Sequence, residues 1–211
     1  LEIDLDAVRI DKGSVEFKVV RRRTRGKDGR PLPPKVEEGL EPLRSVLEGN
    51  IPIVVRVQTP AQIASVLEIQ EAFEIYVVLL DAEGARAHVA DLAALEIGVI
   101  VPRRVIRSVN NTRYHQSDDL ARRDVPIAFQ SSAEDGARTL RQWGLYAVER
   151  GLSADAALSA LTVGAARMFN LDDRIGSLNV GLDGDLVIFD GHPFEAGSRV
   201  RRVIVGGEEV R

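Results

Sequence analysis

Between residues 37 and 169 short apolar runs alternate with amphipathic stretches, and this alternation restricts the fold more than any other feature of the chain. The runs IPIVVRV (51–57), EIYVVLL (74–80), IGVIV (97–101) and PIAFQ (126–130) are too short for buried helices and rich in Val and Ile. Runs of this kind fit strands covered on both faces, the condition of a parallel sheet built from right-handed crossovers. The segments between them read as helices: 37–49, closing on Gly49-Asn50, then 59–73 with Thr59 as N-cap and Pro60 at the first helical position, and 83–95. RSVNNTRYHQSDDLARRD (107–124) reads as a polar connection, and two further helices follow at 134–151 and 153–169. The expected fold class is therefore α/β, with four βα units that amount to half of a TIM-like (β/α)8 barrel. Half a barrel leaves two strand edges and an inner face uncovered, so something must close it.

The chain ends depart from this pattern. LEIDLDAVRI and SVEFKVV alternate apolar and polar residues and are joined by DKG, which reads as a hairpin turning at Gly13. RRRTRGKDGRPLPPK (21–35) is a basic, proline-rich loop; an anion-binding arm is one reading, but no aromatic residue is interleaved for base stacking and a solvated loop fits better. At the other end DLVIFDG, RVRRVIVGG and EEVR read as strands, so the chain ends are expected to form a small β-sandwich element. The division is 1–36 for the hairpin and basic loop, 37–175 for the half-barrel, and 176–211 for the β extension. A net charge of −4 gives no whole-chain reason to expect nucleic acid, and the absence of cysteine removes disulfides, thiolate zinc sites and Cys nucleophiles together. No apolar run reaches the ~18 residues of a spanning helix and no signal peptide is visible, so a soluble protein without membrane contact is expected, its compartment open. The chain begins at Leu1 without Met, as a processed product or a piece of something longer would.

The segment 151–210, and within it Val163-Gly164-Ala165 followed by GSLNVGLDGDLVI (176–188), resembles the C-terminus of the amidohydrolase superfamily in its imidazolonepropionase-like branch. IPIVVRVQTPAQI, EIYVVLLDAEG and DVPIAFQSS are similar to the fifth, sixth and eighth strands of that family's barrel, so the chain resembles its C-terminal half. The resemblance implies metal-dependent hydrolysis of C–N bonds, as in cyclic amides. Zinc or another divalent cation would be held by histidines and an aspartate at strand tips, a donor set that leaves a position for an activated water. An ungapped match places Arg56, Ala82 and Ser132 at the fifth-, sixth- and eighth-strand ligand positions, and no segment resembles the first strand with its His-x-His. A fixed cation, a methyl group and a neutral hydroxyl are poor ligands. His88, His115 and His192 fall away from the strand tips and read as satisfied or solvent-facing.

No metal and no confident catalytic residue are therefore expected. Ser131 and Ser132 lack a general base and a G-x-S-x-G elbow. Asp81 and Glu83 would serve either as an acid/base pair or as counter-charges to Arg56, the second being the simpler reading. The candidate substrate-binding residues are Arg56, Gln58, Asp81, Glu83, Gln130, Ser131 and Ser132. Three functions fit: a silent homologue acting as a partner or binding subunit, a C–N hydrolase completed by another chain, and a metal-free small-molecule binder with a polar pocket at the strand tips. A homo-oligomer or a complementary amidohydrolase chain is the expected partner, with a small-molecule ligand as a further possibility.

Overall fold

The computed structural model describes residues 9–11, 14–16, 41–102, 106–109, 112–131 and 137–210. Its centre is a four-stranded parallel sheet in the order β3 (Ile53–Arg56), β4 (Val77–Leu80), β5 (Gly98–Val101), β8 (Ile127–Phe129). These are the four apolar runs, in chain order and in register from Ile53↔Val77 through Val78↔Gly98 to Val99↔Ile127. Helices α1 (Glu41–Leu47), α2 (Pro60–Phe73), α3 (Val89–Ala94), α4 (Gln116–Ala121), α5 (Leu140–Val148), α6 (Ala154–Leu161) and α7 (Val163–Arg167) accompany the sheet. The fold is a mixed α/β one with a barrel-like parallel core.

Alternation along the strands explains why the runs are apolar on both faces. Val77, Leu79, Val99, Val101 and Ile127 join the large core with Ile63 and Leu92, from α2 and α3. Val78 and Ala128 point the other way and pack with Met168, against which Ile100, Ala165 and Phe169 also rest. With both faces of β4 buried there is no polar position to alternate with, so periodicity gives way to a continuous apolar run. β3 is wetter: Val54 is 43% exposed and Arg56 is exposed, as expected of the sheet's outer strand. Among the described strands β8 pairs only with β5 and forms the other edge.

α2 follows its sequence signals closely. The Thr59 hydroxyl accepts from the Gln62 amide at 3.3 Å, the Gln62 side chain accepts from the Thr59 amide at 3.1 Å, and Pro60 opens the helix, a complete capping box. Its C-terminus closes on Glu74 in the left-handed region, φ 51°.

Two expected elements are built differently. The polar connection holds a hairpin, β6 (Ile106–Val109) against β7 (Thr112–His115), and then α4. Strands with polar and charged residues on them carry no apolar signature, which is why this hairpin is invisible to periodicity. The second difference is that 153–169 is not one helix. It breaks at Thr162, whose φ −133° and ψ −111° are incompatible with helix, and turns into α7. Gly164 takes up the corner, since a Cβ there would lie 2.8 Å from the Ser159 carbonyl oxygen and hydroxyl.

The C-terminal strands β9 (Leu186–Phe189), β10 (Val200–Val205) and β11 (Glu208–Glu209) form a separate antiparallel sheet in the order β11-β10-β9. The Asp190 carboxylate closes the β9–β10 connection, accepting from the Arg199 amide at 2.7 Å and pairing with Arg201 at 2.9 Å. Near the N-terminus β1 (Arg9–Asp11) pairs with β2 (Ser14–Glu16) as the expected hairpin, with Arg9 opposite Glu16. Gly13 and the basic loop 21–35 lie outside the described residues. No described helix is long and apolar enough to cross a membrane.

Candidate functional site

Parallel strands bring their C-terminal ends to one rim, and six of the seven expected site residues lie at or just beyond the ends of β3, β4 and β8. Arg56 ends β3 and Asp81 immediately follows β4. Their side chains meet, Arg56 Nε lying 3.2 Å from Asp81 Oδ2, with the arginine 68% and the aspartate 20% exposed. Asp81 has φ 60°, a left-handed conformation that a non-glycine residue adopts only when its surroundings hold it there. Its amide donates to the Ile100 carbonyl at 3.3 Å, and its own carbonyl accepts from the Glu83 amide at 2.7 Å. Glu83 is exposed, two residues further along the rim.

Gln58 is fixed through its backbone. Its amide donates to the Gln62 side chain at 2.9 Å and its carbonyl accepts from the Gly84 amide at 2.9 Å, which ties the start of α2 to the loop after β4. Its side chain is exposed. Because Arg56 pairs with Leu80, continuing the register brings Gln58, not Arg56, level with Ala82. Ala82 is fully buried, and its carbonyl accepts from Gln116 Nε2 at 2.7 Å. Gln130 follows β8 with its carboxamide oxygen buried and without a hydrogen-bond partner among the described residues, and Ser131 beside it is exposed. Ser132 lies outside the described residues.

Gln116 was hidden to sequence reading by its place in the supposed polar connection. It is 2% exposed and reaches from the first residue of α4 to the tip of β4, and its carboxamide oxygen is buried without a partner among the described residues. A signal was present: His115 followed by Ser117-Asp118-Asp119 resembles a helix start, with acids in the first turn to meet the helix dipole.

The histidines are engaged where they stand. His88 Nε2 lies 3.0 Å from the Pro60 carbonyl oxygen, and His192 Nδ1 accepts from the Phe194 amide at 3.2 Å. His115 is 2% exposed; its Nδ1 caps α4 by accepting from the Ser117 amide at 3.3 Å, with the Ser117 hydroxyl 2.7 Å away. No group of three or more His, Cys, Asp or Glu residues among the described residues is placed to hold a metal ion. A divalent cation fits the β3 and β4 tips poorly, because they offer a guanidinium, a carboxamide, a methyl group and one carboxylate already bound to arginine.

The ion pair is structural in kind but small in worth. With Arg56 mostly in water, its attraction to Asp81 is screened and its side chain remains free enough to lose entropy on pairing. Arg56→Ala is therefore expected to cost less than about 1 kcal/mol in urea unfolding at low salt. A loss of more than about 2 kcal/mol would mean that the pair is far better shielded than its exposure indicates.

A cavity of about 520 Å³ lies at the end of the sheet opposite the strand tips. It opens between the starts of β4, β5 and β8, at Tyr76, Glu96 and Pro126, and the corner of α6 and α7.

Residues 117–211 match the model of the amidohydrolase family. The chain is similar to the structure of an amidohydrolase from Thermotoga maritima, with 28% identity and a TM-score of 0.74 over 88% of this chain and 49% of that one. Similarity of fold extends to molinate hydrolase (17% identity, TM-score 0.59, 80% and 44% coverage). A beta-aspartyl dipeptidase from Fervidobacterium islandicum is comparable (17% identity, TM-score 0.59, 81% and 50% coverage). The chain thus spans about half the length of these proteins. No curated protein sequence gives a significant match.

Proposed function

From the amidohydrolase-superfamily membership that these matches support, we propose that the chain is the C-terminal half of such a barrel, with its metal chemistry lost, and that it serves as a partner or binding subunit. The single observation behind this reading is the rim itself. The ungapped match puts the fifth- and sixth-strand ligand positions at Arg56, which ends β3, and at Ala82, two residues beyond β4, and Asp81 is committed to the arginine at 3.2 Å. Within the superfamily we assign the imidazolonepropionase-like branch on the C-terminal segment 176–188. Any ligand at the rim would meet Arg56, Gln58, Asp81, Glu83, Gln130, Ser131 and Ser132.

The half-length match favours a specific second reading, an active hydrolase of C–N bonds completed by another chain. Both readings require something against β3, where Val54 is open, and along β8, whether a second copy, a complementary chain or further sequence of a longer parent.

Metal content and mass in solution separate them. After dialysis, elemental analysis is expected to show well below one divalent metal per chain, and sedimentation at micromolar concentration a dimer or larger species. A reproducible stoichiometry near one metal per chain, retained by a form without an affinity tag, overturns the silent reading in favour of the second. A compact monomer that unfolds cooperatively overturns the need for a closing partner.

A further inference from the structure

The cavity at the N-terminal end of the sheet uses none of the rim residues, although Pro126 and Ile127 of its lining lie at the β8 edge that a closing chain would approach. Its volume of about 520 Å³ lies within the range of small-molecule sites, ~300–1,000 Å³. We propose that it binds a small organic ammonium ion with an apolar body, the arylalkylamine type.

The apolar part of the site comes from the sheet and from the broken helix. Val125 and Ile127, 2% and 7% exposed, and Met168, 1% exposed, are nearly closed to water. Ala156 and Gly164 keep the α6–α7 wall low, and the break at Thr162 is what turns Gly164 and Met168 towards the cavity. An unbroken helix over 153–169 would leave no such corner.

The charge at the mouth is net negative, two carboxylates against one arginine. Glu96 and Asp124 are exposed residues that precede β5 and β8, each in the left-handed region, at φ 53° and 60°. Helix-to-strand turns of that shape favour Gly or Asn and tolerate Asp, so Glu96 stands here at a conformational cost. Arg167 is the cation of the lining, and it is already paired with Asp172 at 3.5 Å. Tyr76 registers the result: burial first, then the negative charges of Glu96 and Asp172, hold its phenol above the ordinary tyrosine range. The phenol stays protonated, and its hydroxyl lies 3.5 Å from the Arg167 carbonyl oxygen. An ammonium group gains from such a field, and an anion of the same shape is repelled.

The test uses the full chain and three probes of one shape: 2-phenylethylamine, 2-phenylethanol and phenylacetate, titrated by calorimetry at low salt. The amine is expected to bind at about millimolar concentration, as suits a ligand of its size, and at least ~10-fold more tightly than either analogue. Glu96→Gln combined with Asp124→Asn should bring the amine down to the level of the alcohol; both positions are exposed, and Asn suits φ 60°, so this variant is expected to fold. Ala156→Phe should abolish binding of the amine by filling the wall. Should Ala156→Phe not fold, amide shifts in the wild-type chain take its place: amine-induced changes confined to 124–127 and 164–168 support the site. Changes centred on Asp81 overturn it. Equal or tighter binding of phenylacetate, amine affinity unchanged in the double variant, or no binding at tens of millimolar each overturn it as well.

Discussion

Gly84→Ala is expected to lower the unfolding free energy by ~1–3 kcal/mol, at the upper end of what overpacking usually costs. A Cβ at Gly84 would stand 2.6 Å from the Pro60 nitrogen, 2.7 Å from Pro60 Cδ and 2.8 Å from the Thr59 carbonyl carbon. None of these is the free end of a flexible side chain. They belong to the N-terminus of α2, held by the Thr59–Gln62 capping box and by the bond from the Gly84 amide to the Gln58 carbonyl. Either the loop after β4 or the start of α2 must move, and with it the two strand tips that carry Arg56 and Asp81. Urea unfolding gives the number, and Gly197→Ala, where a Cβ meets nothing within 4 Å, is the control and should stay within ~0.5 kcal/mol of the parent. Equal midpoints for the two variants would show that the α2 N-terminus is not seated on Gly84.

That contact illustrates what a sequence discloses and what it withholds. Thr59-Pro60 announces a helix start because capping is local chemistry, decided by residues within one turn of each other. The four strands are legible for a related reason: a strand buried on both faces is apolar throughout, whatever its partners. The C-terminal segment that carries the resemblance lies within residues 117–211, which match the amidohydrolase family, and the short apolar runs form the parallel sheet β3-β4-β5-β8 that they imply. The pairing of Arg56 with Asp81 was also foreseeable, since residues ending adjacent parallel strands must lie side by side. Its exposure was not, and exposure sets its worth. Gln116 depends on a long-range contact, its bond to the Ala82 carbonyl, while the β6–β7 hairpin and the break at Thr162 are local but leave no periodic trace. The level alignment of Gln58 with Ala82 needed the register, which a one-residue slip would have inverted. The cavity needed the break at Thr162, so it could not be read before the fold was known.

Met168→Ala is expected to have the largest effect, about 2–5 kcal/mol, the range for emptying a buried methionine site. Met168 is 1% exposed and covers the face of the sheet opposite α2 and α3, packed with Val78 and Ala128. It can lie against the sheet because β5 begins with Gly98: a Cβ there would be 2.8 Å from both Cγ and Sδ of Met168 and 3.0 Å from Cε. The two residues are therefore one packing unit divided between a strand and the end of α7. Gly98→Ala alone should destabilise by ~1–2 kcal/mol, because the thioether must give up its contact with the strand, although the cavity it lines leaves it room to shift. In the Met168→Ala background the same change should cost less or become favourable, since the new methyl group then occupies vacated space. A double-mutant cycle read by urea unfolding should return a coupling of at least ~1 kcal/mol. Met168→Leu, which keeps most of the volume, should cost under ~1.5 kcal/mol. Additive losses in the cycle would mean that Met168 does not rest on Gly98, and the inner face of the half-barrel would then have to be covered by something other than its own C-terminal helix.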